Sequence, residues 1–133
     1  MPDPSVHPSE KVSRFLIEGD IRVKDDSIRR RAFLPSASSL EISVFRIYQL
    51  SDDAIWTLAV EKVEPQRGPV LGRGDLSVEK IIENKLQVVP DMDAASRHAD
   101  IVGWSQDRDL RATIAMELAR LASPAKKRAS STV

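Results

Sequence analysis

Polar and apolar positions alternate through Glu41–Tyr48. Ile42, Val44 and Arg46 fall on one face of an extended chain, and Ser43, Phe45 and Ile47 on the other. With its β-branched and aromatic residues, this segment predicts a strand. The period then changes. Ile55, Leu58, Ala59 and Val63 recur at helical spacing, with Trp56 and Val60 alongside. Ser51 can cap such a helix, Asp52 and Asp53 suit its positive end, and Pro65 should stop it.

Gly68, Pro69, Gly72 and Gly74 predict a loop, with at most a short irregular strand through Val70 and Leu71. Ser77 caps a second helix over roughly 78–84, with Val78, Ile81 and Ile82 inward. Leu86–Val89 reads as a short strand stopped by Pro90. Asp91–Ser96 is turn-rich, and Arg97–Trp104 is a further strand that Gly103 can bulge. Asp107 caps a last helix whose apolar stripe is Leu110, Ile114, Leu118 and Leu121, and Pro124 closes the body.

The remaining segments are weaker in pattern. Residues 1–13 carry Pro2, Pro4 and Pro8 and read as a flexible lead. Residues 14–35 read as irregular with a short strand, and 123–133 as a flexible basic tail. Residues 14–122 are then expected to form a single α+β domain. Its antiparallel or mixed sheet should have about three or four strands, with about three helices packed mainly on one face.

Composition narrows the function classes. The 133 residues are 41% hydrophobic and 30% charged, as in a globular domain. Lys plus Arg and Asp plus Glu each number 20, so the basic excess of a dedicated nucleic-acid binder is missing. There is no cysteine, which removes disulfides, thiolate metal sites and a cysteine nucleophile together. Met1–Pro8 lacks the basic and apolar regions of a signal peptide, and no apolar run spans a bilayer. The expectation is a cytoplasmic protein without membrane attachment.

The chemistry concentrates at Arg97-His98-Ala99-Asp100. In an extended strand His98 and Asp100 share a face, so the carboxylate can orient the imidazole for acid–base work, while Arg97 points away. Arg97 can pair with Asp91 or Asp93 or take a phosphate. Arg46, set among apolar residues, and Arg73, in the Gly72-Arg73-Gly74-Asp75 turn, are further anion candidates. That turn lacks the spacing of a phosphate-binding loop, so a plain turn is the simpler reading.

Asp91, Asp93 and Asp100 offer hard oxygens but lack the continuing ligands of a calcium loop. One nearby histidine falls short of a zinc set, so no metal and no cofactor is expected. Arg29–Arg31 and Lys126–Arg128 are basic runs that more often pair with local acids. Asp25 and Asp26 stand just before the first. Ser131-Thr132-Val133 fits a peptide for strand-addition domains, a match that short tails produce by chance.

Four fragments, taken together, resemble small bacterial proteins to which no activity is attached. They are Ser43-Val44-Phe45-Arg46, Gly72–Leu76, Val89-Pro90-Asp91 and Arg97–Trp104, within about residues 32–122. The resemblance implies a bacterial origin and nothing about chemistry.

Two functions fit the sequence best, ahead of a third, nucleic-acid binding through the Arg29–Arg31 face. One is a non-catalytic binding or regulatory module acting through a macromolecular partner or a second copy of itself. Trp56, Trp104 and Tyr48 would be its anchors if exposed, although scarce aromatics belong more naturally to the core. The other is an enzyme acting on a phosphate-bearing or nucleotide-like substrate. His98 would be its general acid/base, Asp100 the orienter, and Arg97, Arg46 and Arg73 the anion clamps. Small size, zero formal net charge and the lack of a complete catalytic set favour the binding module. A small anionic ligand is compatible with either.

Overall fold

A computed structural model describes residues 6–91 and 97–126. Asp93, Lys127, Arg128 and Ser131–Val133, named above, lie outside the described residues. The chain is α+β with one antiparallel sheet of six strands, in the order β4-β5-β2-β1-β3-β6. The strands are β1 (Lys11–Leu16), β2 (Ile42–Arg46), β3 (Gly72–Ser77), β4 (Gln87–Pro90), β5 (His98–Val102) and β6 (Ser123–Lys126).

The sheet is thus wider than the three or four strands expected, and the additions come from segments read otherwise. β1 begins inside the proline-bearing lead, and β6 lies in the stretch read as tail. β3 is the supposed glycine turn, which instead pairs along its whole length with β1. Its glycines misled because glycine usually breaks a strand. At Gly74 it has a packing reason: an added Cβ would stand 2.8 Å from Ile28 Cδ1 and 3.2 Å from Ala122 Cβ. Pro124 takes part in β6, an edge strand, where its missing N–H costs little.

Helices cover both faces. On one, α3 (Val78–Glu83), α4 (Arg108–Leu121) and a 3-10 turn (Arg30–Phe33) close over Val12, Leu16, Val44, Leu76 and Ile101 to form the larger core. On the other, α1 (Asp52–Leu58), a π-helical turn (Ala59–Val63) and α2 (Glu64–Arg67) run on as one helix over Phe15, Phe45, Ile47 and Val70. The alternation read in Ile42–Ile47 therefore feeds two cores rather than one core and solvent.

The predicted caps are formed. Ser51 Oγ accepts from Ala54 N, Ser77 Oγ from Lys80 N, and Asp107 Oδ1 from Asp109 N and Leu110 N. Two helix details differ. Pro65 does not end the first helix, which continues to Arg67. A proline ring crowds the carbonyl four residues back and brings no N–H, and here the helix widens into the π turn just before it. On α4 the buried side is Arg111, Ala115 and Leu118, while Leu110 is 48% exposed. The helix is rotated so that small Ala115, rather than Leu110, is buried in the larger core.

Candidate functional site

β1 and β2 pair only at Val12↔Arg46 and Ser13↔Phe45, and then diverge. Arg14 fills the resulting gap. Its Nε donates to Ala32 O (2.8 Å) in the 3-10 turn and its Nη1 to Ser43 O (2.9 Å) on β2, so the side chain bridges the turn and the strand where the β1–β2 ladder has ended. The opening leads into a cavity of about 330 Å³ between the sheet and the widened helix. Phe15, Ser43, Phe45 and His98 form its floor; Lys62, Val63, Pro65, Gln66 and Arg67 form its other side, with Arg14 and Glu61 completing the wall.

Cations outnumber carboxylates on the lining, with Arg14, Lys62 and Arg67 against Glu61. Arg67 Nη1 donates to Phe15 O (2.8 Å), and its Nη2 lies 3.6 Å from Asp20 Oδ2. Asp20, 2% exposed, also takes Arg31 at 3.1 Å and accepts from Ile17 N. A single buried carboxylate is thus shared by Arg67 and Arg31. Arg14 makes no ion pair among the described residues, and its Nε and Nη1 donate to neutral carbonyl oxygens. Burial and the Arg67 charge, partly offset by Asp20, bring the Arg14 guanidinium down to about 10. Burial likewise lowers Arg67, against the pull of Asp20.

His98 closes the far end of the floor. Register places it opposite Phe45, and its ring meets that ring edge-on at 5.4 Å. Asp91 Oδ2 lies 3.5 Å from Nδ1, and Asp100 Oδ1 lies 3.7 Å from Nε2. Burial pushes the Asp100 carboxyl up; Glu41 and Asp91 push the same way, while His98 and the Ser43 hydroxyl only partly oppose them.

Of the site residues expected from the sequence (His98, Asp100, Arg97, Arg46 and Arg73), only His98 lines this cavity, and Asp100 stands beside it. Arg46 is held by Glu10 in a two-pronged pair, 2.9 Å and 2.8 Å, with both side chains 9% exposed. Arg97 neither meets Asp91 nor is left free for a phosphate. It donates to Tyr48 O at 2.9 Å and stacks on the Tyr48 ring. Arg73 lies on β3, three strands from β5, where it binds Asp52 and Asp75 and stacks on Trp56. The expected clamp of Arg46, Arg73 and Arg97 around His98 is therefore not assembled.

Sequence reasoning missed Arg14, Lys62 and Arg67. Arg14 did carry a signal: an arginine between Val12 and the Phe15-Leu16 pair interrupts an apolar strand. Arg67 was hidden by the assumption that the helix stops at Pro65. Compared with family models, curated proteins and solved structures, the chain matches none. The site is accordingly read from its own residues.

Among the described residues, no helix is long and apolar enough to cross a membrane. Large exposed apolar side chains, such as Val23, Ile82 and Met116, are distributed among loops, three helices and β4.

Proposed function

We propose that this protein is a binding module for a small anionic molecule with an apolar or aromatic portion, held in the cavity between the sheet and the Asp52–Arg67 helix. One observation carries the reading. Arg14 and Arg67 line the cavity with Lys62, and the buried carboxylate nearest them, Asp20, is already shared with Arg31. Guanidinium groups that must share one buried carboxylate with Arg31 are only partly compensated, and a bound phosphate or carboxylate offsets the remaining cost. Phe15 and Phe45 offer aromatic surface for the rest of the ligand, and the volume suits a small molecule.

The test is a chemical-shift titration of the labelled protein with inorganic phosphate, a simple aryl phosphate and an aryl carboxylate. Saturable shifts at Phe15, Ser43, Phe45 and Arg67 are expected, with the aryl compounds binding more tightly than phosphate. Lys62→Gln and Arg67→Gln should each weaken binding by about tenfold, the scale of one charge-assisted contact. Shifts confined to exposed termini, or affinity unchanged in both variants, would sink the reading.

A catalytic alternative rests on a different observation: His98 borders the same cavity with carboxylates beside both ring nitrogens. In that reading His98 moves a proton and Asp100 orients it, with Arg14 and Arg67 taking the anion role first assigned to Arg46, Arg73 and Arg97. Turnover of an aryl phosphate that is lost in His98→Gln while ligand binding persists would establish it. Equal turnover in the variant would exclude it.

A further inference from the structure

We propose that His98, Asp91 and Asp100 form a site for one divalent transition cation, of the Zn²⁺ or Mn²⁺ class, on the sheet face beside the cavity. The site comes from register. Asp91 N donates to His98 O (2.9 Å), which extends the β4–β5 ladder and brings Asp91 beside His98. Asp100 follows two residues along the same strand face. One ligand atom from each of the three residues can be chosen so that all lie within 4.8 Å of one another.

The second observation is the imidazole itself. His98 is 8% exposed, and its Nδ1 is a buried polar atom with no hydrogen-bond partner among the described residues. It points toward Asp91 Oδ2 at 3.5 Å. That separation is too long for an N–H···O bond, which closes to about 2.7–3.2 Å. It matches two ligands of one cation: bonds of about 2.1 Å at a tetrahedral angle set their donor atoms about 3.4 Å apart. An unpaired buried nitrogen is expensive, and a cation supplies the missing partner.

Nδ1 and Asp91 Oδ2 are the paired ligands, while Asp100 Oδ1 stands by the other ring nitrogen (3.7 Å) and has to turn toward the ion on binding. One imidazole nitrogen with two carboxylate oxygens then suits borderline and hard divalent ions and leaves positions open for water or an anion. Asp91 is 40% exposed and Asp100 15%, so the ion can enter from the solvent side of β4 and β5. A structural alternative would have the imidazolium simply bridge two carboxylates. The 3.5 Å and 3.7 Å gaps show neither contact drawn into a hydrogen bond.

The experiment is calorimetric titration of the whole chain with Zn²⁺, then Mn²⁺, in phosphate-free buffer, followed in parallel by the ring-nitrogen signals of both histidines. One ion per chain is expected, with the His98 signals moving and the His7 signals unchanged. Asp91→Asn and Asp100→Asn should each weaken binding by at least about tenfold, and His98→Gln should abolish it. Asp91 is partly solvent-exposed, so its amide variant folds even if His98→Gln does not. Binding weaker than about 1 mM, affinity unchanged in both Asn variants, or shifts at His7 instead of His98 would each overturn the proposal. No anion is present, so this outcome is separate from that of the anion reading.

Discussion

Arg14 Nη1 donates to the carbonyl oxygen of Ser43, 2.9 Å away, at the place where β1 and β2 cease to pair. This side chain does two things at once. It satisfies backbone carbonyls on the 3-10 turn and on β2, and it sets a positive charge at the cavity. Arg14→Lys keeps the charge but loses the rigid fork that reaches Ala32 and Ser43 together. We expect it to lower stability by about 1–3 kcal/mol in chemical denaturation and to weaken aryl phosphate binding. A variant as stable as the parent would mean that the gap is filled in another way.

Glu10 and Arg46 make stability depend on pH. Burial alone would raise the Glu10 carboxyl, but hydrogen bonds from Arg46 and the His7 amide, with the charges of both residues, outweigh it and hold it below its ordinary 4.5. A carboxyl depressed in the folded state stabilises above its unfolded pKa, and that contribution fades as pH falls through the folded value. Denaturation midpoints should therefore drop on acidification from about pH 5 toward pH 3. Glu10→Gln should flatten part of this slope. At neutral pH it should cost about 1–3 kcal/mol, because the buried Arg46 guanidinium loses its two-pronged charged partner.

Arg73 separates the sequence expectation from the structure. Arg73→Gln should cost about 1–2 kcal/mol through its lost stacking on Trp56 and its lost pairs with Asp52 and Asp75. It should leave anion affinity unchanged, since Arg73 does not line the cavity. A large loss of affinity with the fold intact would restore Arg73 as a ligand residue.

Gly74→Ala tests why β3 tolerates glycine in its middle. The new Cβ would press on Ile28 Cδ1 at 2.8 Å and on Ala122 Cβ at 3.2 Å. Ile28 can swing away, but Ala122 sits at the end of α4 and cannot. A loss of about 1–3 kcal/mol in thermal or chemical unfolding is expected. Stabilisation would show that the glycine serves flexibility rather than close packing.

Local signals were legible because they act over a few residues. The caps Ser51, Ser77 and Asp107, the alternation of Ile42–Ile47 and the His98–Asp100 spacing all follow from backbone geometry near each residue. β3 and β6 were illegible for the opposite reason. Gly72–Ser77 and Ser123–Lys126 carry poor strand propensity and become strands because neighbours pair with them. Leu110 was misassigned because helical periodicity defines a stripe without saying which of two adjacent stripes turns inward.

The same division holds for the candidate site. The sequence alone determined the α+β class, the absence of thiol chemistry, and that His98 and Asp100 share a strand face. Those properties depend only on composition and on the two-residue period of a strand. Only the tertiary structure decided which cations surround His98. Arg14 and Arg67 are 53 positions apart in the chain and meet because β1 parts from β2 under a helix that continues past Pro65. Arg46, Arg73 and Arg97 were equally plausible from their residue type. Strand order and the nearest carboxylates and carbonyls spent them elsewhere, because the register that decides such pairings is a long-range property.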